Sequence, residues 1–201
     1  MKKLFLTAAA VFAFSFANAQ DVKYGAKAGL NISSITGDGT EDVSSKIGFQ
    51  VGGFAEIKIS DKFAIQPELL YSAQGAKAKL SEEGVSIKAT QKLAYLNIPV
   101  IAKYYVAKGF SLEAGPQLGF LLSAEQESTE SIDGVTTTES DDNKEGFNST
   151  DFGFNLGAGY DVTENINLGV RYSIGLSNIV KDSEDFKQNN SNIAIAVGYK
   201  F

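Results

Sequence analysis

From Tyr24 onward hydrophobic residues recur at every second position, and this period of two predicts β-strands rather than helices. The first run places Tyr24, Ala26, Ala28, Leu30 and Ile32 on one face, with Gly25, Lys27, Gly29 and Asn31 on the other. The second sets the odd positions from Ile47 to Ile59 against Gln50, Gly52, Glu56 and Lys58. A third sets the odd positions from Phe63 to Ala73 against Gln66, Glu68, Ser72 and Gln74. In the fourth, the even positions from Ala94 to Val106 oppose Tyr95, Asn97, Pro99, Lys103 and Tyr105. In the fifth, those from Phe110 to Leu122 oppose Ser111, Glu113, Gly115, Gln117 and Gly119. The sixth run opposes Phe152–Tyr160 to Asp151, Gly153, Asn155 and Gly157, and the seventh opposes Ile166–Ile174 to Asn167, Gly169, Arg171 and Ser173. The eighth alternates Ile193, Ile195, Val197, Tyr199 and Phe201 with Ala194, Ala196, Gly198 and Lys200.

Alternation also occurs in soluble sandwiches, so other features must decide the class. Each apolar face runs for five to seven positions, which suits the roughly 9–11 residues of a tilted membrane strand. Aromatic residues such as Tyr24, Tyr71, Tyr104, Phe120, Phe152 and Tyr172 stand near the ends of these faces, as interfacial girdles require. The opposite faces are rich in glycine and charge, which suits a narrow wet lumen better than a dry core. Short connections at 60–62, 107–109 and 161–165 alternate with polar stretches around 33–46, 75–92, 125–149 and 175–192. Short inner turns and long outer loops belong to outer-membrane barrels. The predicted fold is therefore all-β, a closed antiparallel transmembrane barrel of about eight strands in a Gram-negative outer membrane.

The first twenty residues carry a different signal. Lys2 and Lys3 precede an apolar run from Leu4 to Phe16, and Ala17, Asn18 and Ala19 form a small-x-small junction before Gln20. This is the pattern of a cleaved export signal over 1–19, with 20–201 as the barrel domain. No later stretch has the uninterrupted apolar length of a membrane helix, which leaves a closed barrel as the spanning form.

Composition narrows the chemistry. The chain has no Cys and no His, which removes disulfides, thiolate sites, the commonest general base and the commonest metal ligand. With no Trp, any girdle must come from 8 Tyr and 14 Phe. The net charge is −6, and it becomes more negative by two once Lys2 and Lys3 are removed. So acidic a chain is a poor nucleic-acid binder.

The C-terminal Ile195–Phe201 stretch resembles the assembly signal of bacterial outer-membrane barrels, with Tyr199 and the terminal Phe201 as its aromatic positions. That resemblance implies contact with the barrel assembly machinery during biogenesis. Gln66–Ser72, Tyr95–Val100, Lys103–Tyr105 and Glu113–Gly119 are similar to strands of the PorT-like outer-membrane β-barrel family. The resemblance spans about Tyr24 to Phe201 and rests on strands, not on an active site. It implies the barrel fold, and it suggests a role as an accessory for secretion or assembly of surface proteins. It transfers no catalytic residue.

Charged side chains converge on the polar face: Lys27, Glu56, Lys58, Glu68, Lys103, Glu113, Asp151, Arg171 and Lys200. An eight-stranded lumen is filled by its own side chains, so a paired charge network is the expectation, with an ion path as the alternative. The 125–149 stretch holds eight acids against Lys144. Asp141-Asp142-Asn143 and the Asp38–Asp42 stretch offer oxygen ligands for calcium, but neither has the spacing of a calcium loop. A solvated, mobile acidic loop is the expectation there. Pro67, Pro99 and Pro116 fall inside strands and predict bulges or ladder gaps. The expected function is thus non-enzymatic and without cofactor. It is a structural or surface-interaction barrel in outer-membrane lipid, with an unnamed surface protein as partner of its outer loops. A narrow pore is the second alternative.

Overall fold

A computed structural model describes residues 21–82, 85–132, 135–183 and 185–201. The expected export signal, with its junction at Ala17, Ala19 and Gln20, lies outside these residues. The strands are β1 (Asp21–Gly37), β2 (Val43–Ser60), β3 (Phe63–Glu82), β4 (Val85–Ala107), β5 (Phe110–Ile132), β6 (Val135–Asp142), β7 (Thr150–Asp161), β8 (Ile166–Gly175) and β9 (Gln188–Lys200). Each of β1–β5 pairs antiparallel with the next, β5 pairs with β7, β7 with β8, β8 with β9, and β9 returns to β1. These eight strands close a ring with no free edge, as expected. The ninth, β6, hangs on β5 alone above it.

Closure sorts the two faces. Leu30, Phe49, Leu112, Leu156, Val170 and Ile195 are exposed on the outside, while Lys27, Asn31, Glu56, Glu68, Asn155 and Arg171 are buried inside. For a soluble protein this would be inverted. In lipid it satisfies the backbone through the ladders and places every apolar face against acyl chains. Phe49 and Tyr71, with ring centroids 5.8 Å apart, stand in the outer girdle. Tyr199 and Phe201, 5.6 Å apart, mark the inner one. Ile57 departs from its outward parity and is buried, one residue before the register shift between Lys58 and Ser60.

The prolines mark ladder gaps and not bulges. Registration skips from Phe54–Glu68 to Ile57–Ile65 beside Pro67, from Pro67–Val100 to Leu70–Asn97 beside Pro99, and from Pro99–Gln117 to Ala102–Ala114 beside Pro116. The register is the same on both sides of each gap, as a missing N–H donor alone requires.

Three of the expected long loops are corrected. The 75–92 stretch continues β3 and β4 as a hairpin up to the Glu82–Val85 pair. The acidic 125–149 stretch is the end of β5, the whole of β6 and a short 3-10 turn at Lys144–Gly146. The 33–46 connection shrinks to five residues, 38–42. Toward the hairpin tips, beyond the buried Ala76 and Leu93, both faces of a strand meet water, so the apolar–polar alternation that reveals the lower strands disappears. Among the described residues, only the connection between β8 and β9 keeps the character of a long loop.

Candidate functional site

The lumen is filled in layers. Nearest the short turns lies an ionic layer, built where inward positions of adjacent strands bring opposite charges level. Lys103 on β4 donates to Glu56 on β2 at 2.9 Å and lies 3.6 Å from Glu113 on β5. Lys200 on β9 bridges Glu56 at 3.1 Å and Asp161 at 3.0 Å. Higher up, Arg171 on β8 donates to both oxygens of Glu68 on β3, each at 3.0 Å, and to Glu113 at 2.8 Å. Lys27 on β1 adds the fourth cation, 2.7 Å from Glu68. It also lies 5.7 Å from the centre of the Phe54 ring. Four cations and four carboxylates thus close one network. Such pairing is what permits so many charges to be buried at all.

A neutral polar layer follows. Asn31 donates to Ser72 at 2.9 Å, Asn192 to Asn31 at 3.2 Å, and Ser173 to Asn155 at 2.5 Å. Toward the outer mouth, Asp151 accepts from Asn190 at 2.8 Å and from Ser177 at 2.7 Å, and Asn190 also donates to the Tyr95 hydroxyl at 3.1 Å. Above it, Ile35, Leu93, Leu121, Ala124 and Ile179 pack with the ring of Tyr95 as an apolar cap. The cavities between these layers hold only about 10 Å³ each, roughly the room for one water.

Six residues named from the sequence as a charge network, Glu56, Glu68, Lys103, Glu113, Arg171 and Lys200, are brought together. Lys58 is not: it is half-buried, and among the described residues it joins none of the ion pairs. Asp151 belongs to the outer polar layer instead. Asp161 and Phe54 were missed, although the inward parity of β7 and β2 leads to both. The apolar cap was missed because Ile179 comes from a loop whose path no periodicity reveals. Asp141 and Asp142, adjacent on β6, project to opposite faces, so they do not form one ligand cup.

The outer hairpins form a second feature. β3, β4, β5 and β6 rise together past the girdle as a sheet. Cross-strand contacts hold it: Ser131 to Thr136 at 2.9 Å, Thr129 to Thr138 at 3.3 Å and Lys92 to Glu127 at 2.6 Å. Asn143 donates to Gln91 at 2.9 Å and ties the base of β6 to β4.

A closed eight-stranded ring with an apolar outside and a packed polar inside defines a small bacterial outer-membrane barrel, a class that is typically non-enzymatic. Residues 16–181 match the family described as "Outer membrane protein beta-barrel domain", and the chain belongs to that family. Among solved structures it is similar to Ail, the attachment invasion locus protein of Yersinia pestis. That match has a TM-score of 0.50 at 13% identity and covers 90% of this chain and 100% of that one. It is equally similar to Neisserial surface protein A, with a TM-score of 0.50 at 15% identity and the same coverage of both chains. At such identities the likeness is one of fold. No curated protein matches the sequence.

Proposed function

We propose that the protein is a closed scaffold whose outer sheet is a contact surface for a partner outside the cell. The observation that carries this reading is the length of β3, β4 and β5, at 20, 23 and 23 residues. A membrane crossing needs only about 9–11. The surplus builds a sheet with an open edge at β6, the kind of edge that recruits another strand. The filled lumen supports a structural role for the barrel itself and disfavours the narrow pore.

The test is complementation of a deletion strain by a trimmed barrel. In it, residues 79–88 and 126–141 are replaced by short turns, and the folded barrel is checked in the outer membrane. The trimmed protein should fold and fail to restore the deletion phenotype. Full restoration would remove the outer sheet from the function. A PorT-like accessory role for secretion or assembly is the second reading, supported by the strand resemblance. It alone predicts that deletion depletes other proteins from the cell surface, read by surface proteomics. Steady ohmic conductance of purified protein in planar bilayers would instead support the pore.

A further inference from the structure

The protein is acidic overall, yet one sector of its outer rim is basic. Lys77 and Lys79 on β3 and Lys88 and Lys92 on β4 share the outward face of the outer sheet, by the alternation that buries Ala76 and Leu93 on the other side. Lys46 joins them from β2. Its side chain runs across Gly75, where an added Cβ would lie 3.2 Å from its Cδ. Burial, and then the charges of Lys77 and Lys92, lower the pKa of the Lys46 ammonium. Lys79 stands directly opposite Lys88, a like-charge cross-strand pairing that costs stability unless something neutralises it. Glu127 answers Lys92. Among the described residues no acid forms an ion pair with Lys46, Lys77, Lys79 or Lys88.

Height identifies what faces this sector. Lys46 lies three residues beyond Phe49, and Lys92 lies four beyond Leu96, the register partner of Tyr71. At roughly 3.4 Å per residue and a tilt near 40°, both stand roughly 8–10 Å above the outer aromatic girdle. Lys77 is higher by a few ångströms on the same count. That is the depth of lipid headgroups, and outward-facing ammonium groups there meet the membrane surface rather than the lumen.

We propose that Lys46, Lys77 and Lys92, flanked by Lys79 and Lys88, form a docking strip for phosphate groups on the headgroups of outer-leaflet glycolipid. Lysines at successive levels of one face neutralise a phosphorylated headgroup at adjacent points, and each adds roughly fivefold to binding at a charged surface. The strip would fix the rotational setting of the barrel in an asymmetric membrane and hold the base of the outer sheet against the leaflet.

The test uses the folded barrel in phosphatidylcholine vesicles, titrated with bisphosphorylated lipid A and with the same lipid after dephosphorylation. Wild type should prefer the phosphorylated form by at least tenfold, and the preference should fall as salt screens it. The pair Lys46→Gln and Lys77→Gln should abolish that preference. Lys62→Gln and Lys108→Gln, in the inner turns, should leave it intact. Lys77→Gln alone, an exposed change, should lower it severalfold and covers the case in which the Lys46 variant fails to fold. Equal binding of both lipid forms, or an unchanged preference in the lysine variants, overturns the proposal. Competition by free inorganic pyrophosphate at the lipid's own concentration would assign the strip to a soluble phosphate and overturn the lipid assignment.

Discussion

Arg171 and Glu68 lie 103 residues apart in sequence and meet across the barrel in a two-pronged ion pair, both arms at 3.0 Å. Planar guanidinium against planar carboxylate is a geometry that lysine does not reproduce. The second arm of Arg171 reaches Glu113, so a single cation ties β3, β5 and β8 together.

Removing Arg171 unbalances the network. Arg171→Leu leaves Glu68 to Lys27 and Glu113 to Lys103, with one carboxylate too many in a sealed layer. The expected loss is about 3–5 kcal/mol, read as a lower unfolding midpoint of the folded barrel. Adding Glu113→Gln restores the charge balance. The double variant should therefore be less destabilised than the sum of the two single changes. Strict additivity would mean that the two side chains do not interact.

The outside of the barrel makes the opposite demand. Leu156, Val170 and Ile195 are each about half exposed on strands β7, β8 and β9. Arginine at any of them should cost about 2–4 kcal/mol near the membrane midplane. Cysteines placed there should stay unlabelled by a water-soluble thiol reagent in intact membranes. Free labelling would reverse the assigned faces.

The sequence makes the membrane part of this fold legible because one face of every crossing strand must be apolar. Parity alone places Lys27, Glu68 and Arg171 inside. It does not say which meets which, because partner choice depends on strand stagger around the ring, and Arg171 reaches β3 from β8. Lys58 shows the limit: its parity is inward, yet it sits near the inner end, beside the Lys58/Ser60 register shift and away from the paired layer. The outer sheet was illegible for a different reason. Residues 125–131 and 136–142 are wet on both faces, so a Thr-, Ser- and Glu-rich strand has the composition of a mobile loop.

The small-x-small junction predicts processing. Protein isolated from outer membranes should begin at Gln20 by N-terminal sequencing. Recovery of chains starting at Met1 would remove the cleaved-signal expectation.

Gly75 is where the outer sheet has least tolerance. Its φ is +135°, and a Cβ built there would collide with the backbone oxygen of Gln91 across the β3–β4 ladder. Gly75→Ala should cost about 1–3 kcal/mol, whereas an ordinary glycine-to-alanine change inside a strand gains roughly 0.5–1 kcal/mol. It should also spread the β3–β4 hairpin at Gln91. The barrel below should keep its stability, so the change should appear as faster proteolysis within the hairpin, with little shift in the main unfolding transition. Unchanged proteolysis would place the constraint elsewhere.

The open edge of β6 predicts a hydrogen-exchange pattern that alternates residue by residue. Asn143 donates its backbone N–H to Ala124 at 3.0 Å, which makes the neighbouring Glu125–Asp142 register pair one that does not exchange backbone hydrogen bonds. Two residues further along, Glu127–Ser140 has the same character, as do Thr129–Thr138 and Ser131–Thr136. The short side-chain contacts at the last two pairs fit that assignment. The amides of Thr136, Thr138 and Ser140 therefore point away from β5 into solvent, whereas those of Thr137, Glu139 and Asp141 bond to it. Fast exchange at the first set and slow exchange at the second is the expected result in the isolated barrel. A partner that adds a strand should slow the first set and leave the second unchanged. Thr138→Pro removes one edge donor without breaking the β5 ladder, so it should preserve the fold and weaken that partner. Uniform protection along β6 in the isolated protein would show that the edge is already covered, and the surface reading of the outer sheet would have to move to its faces.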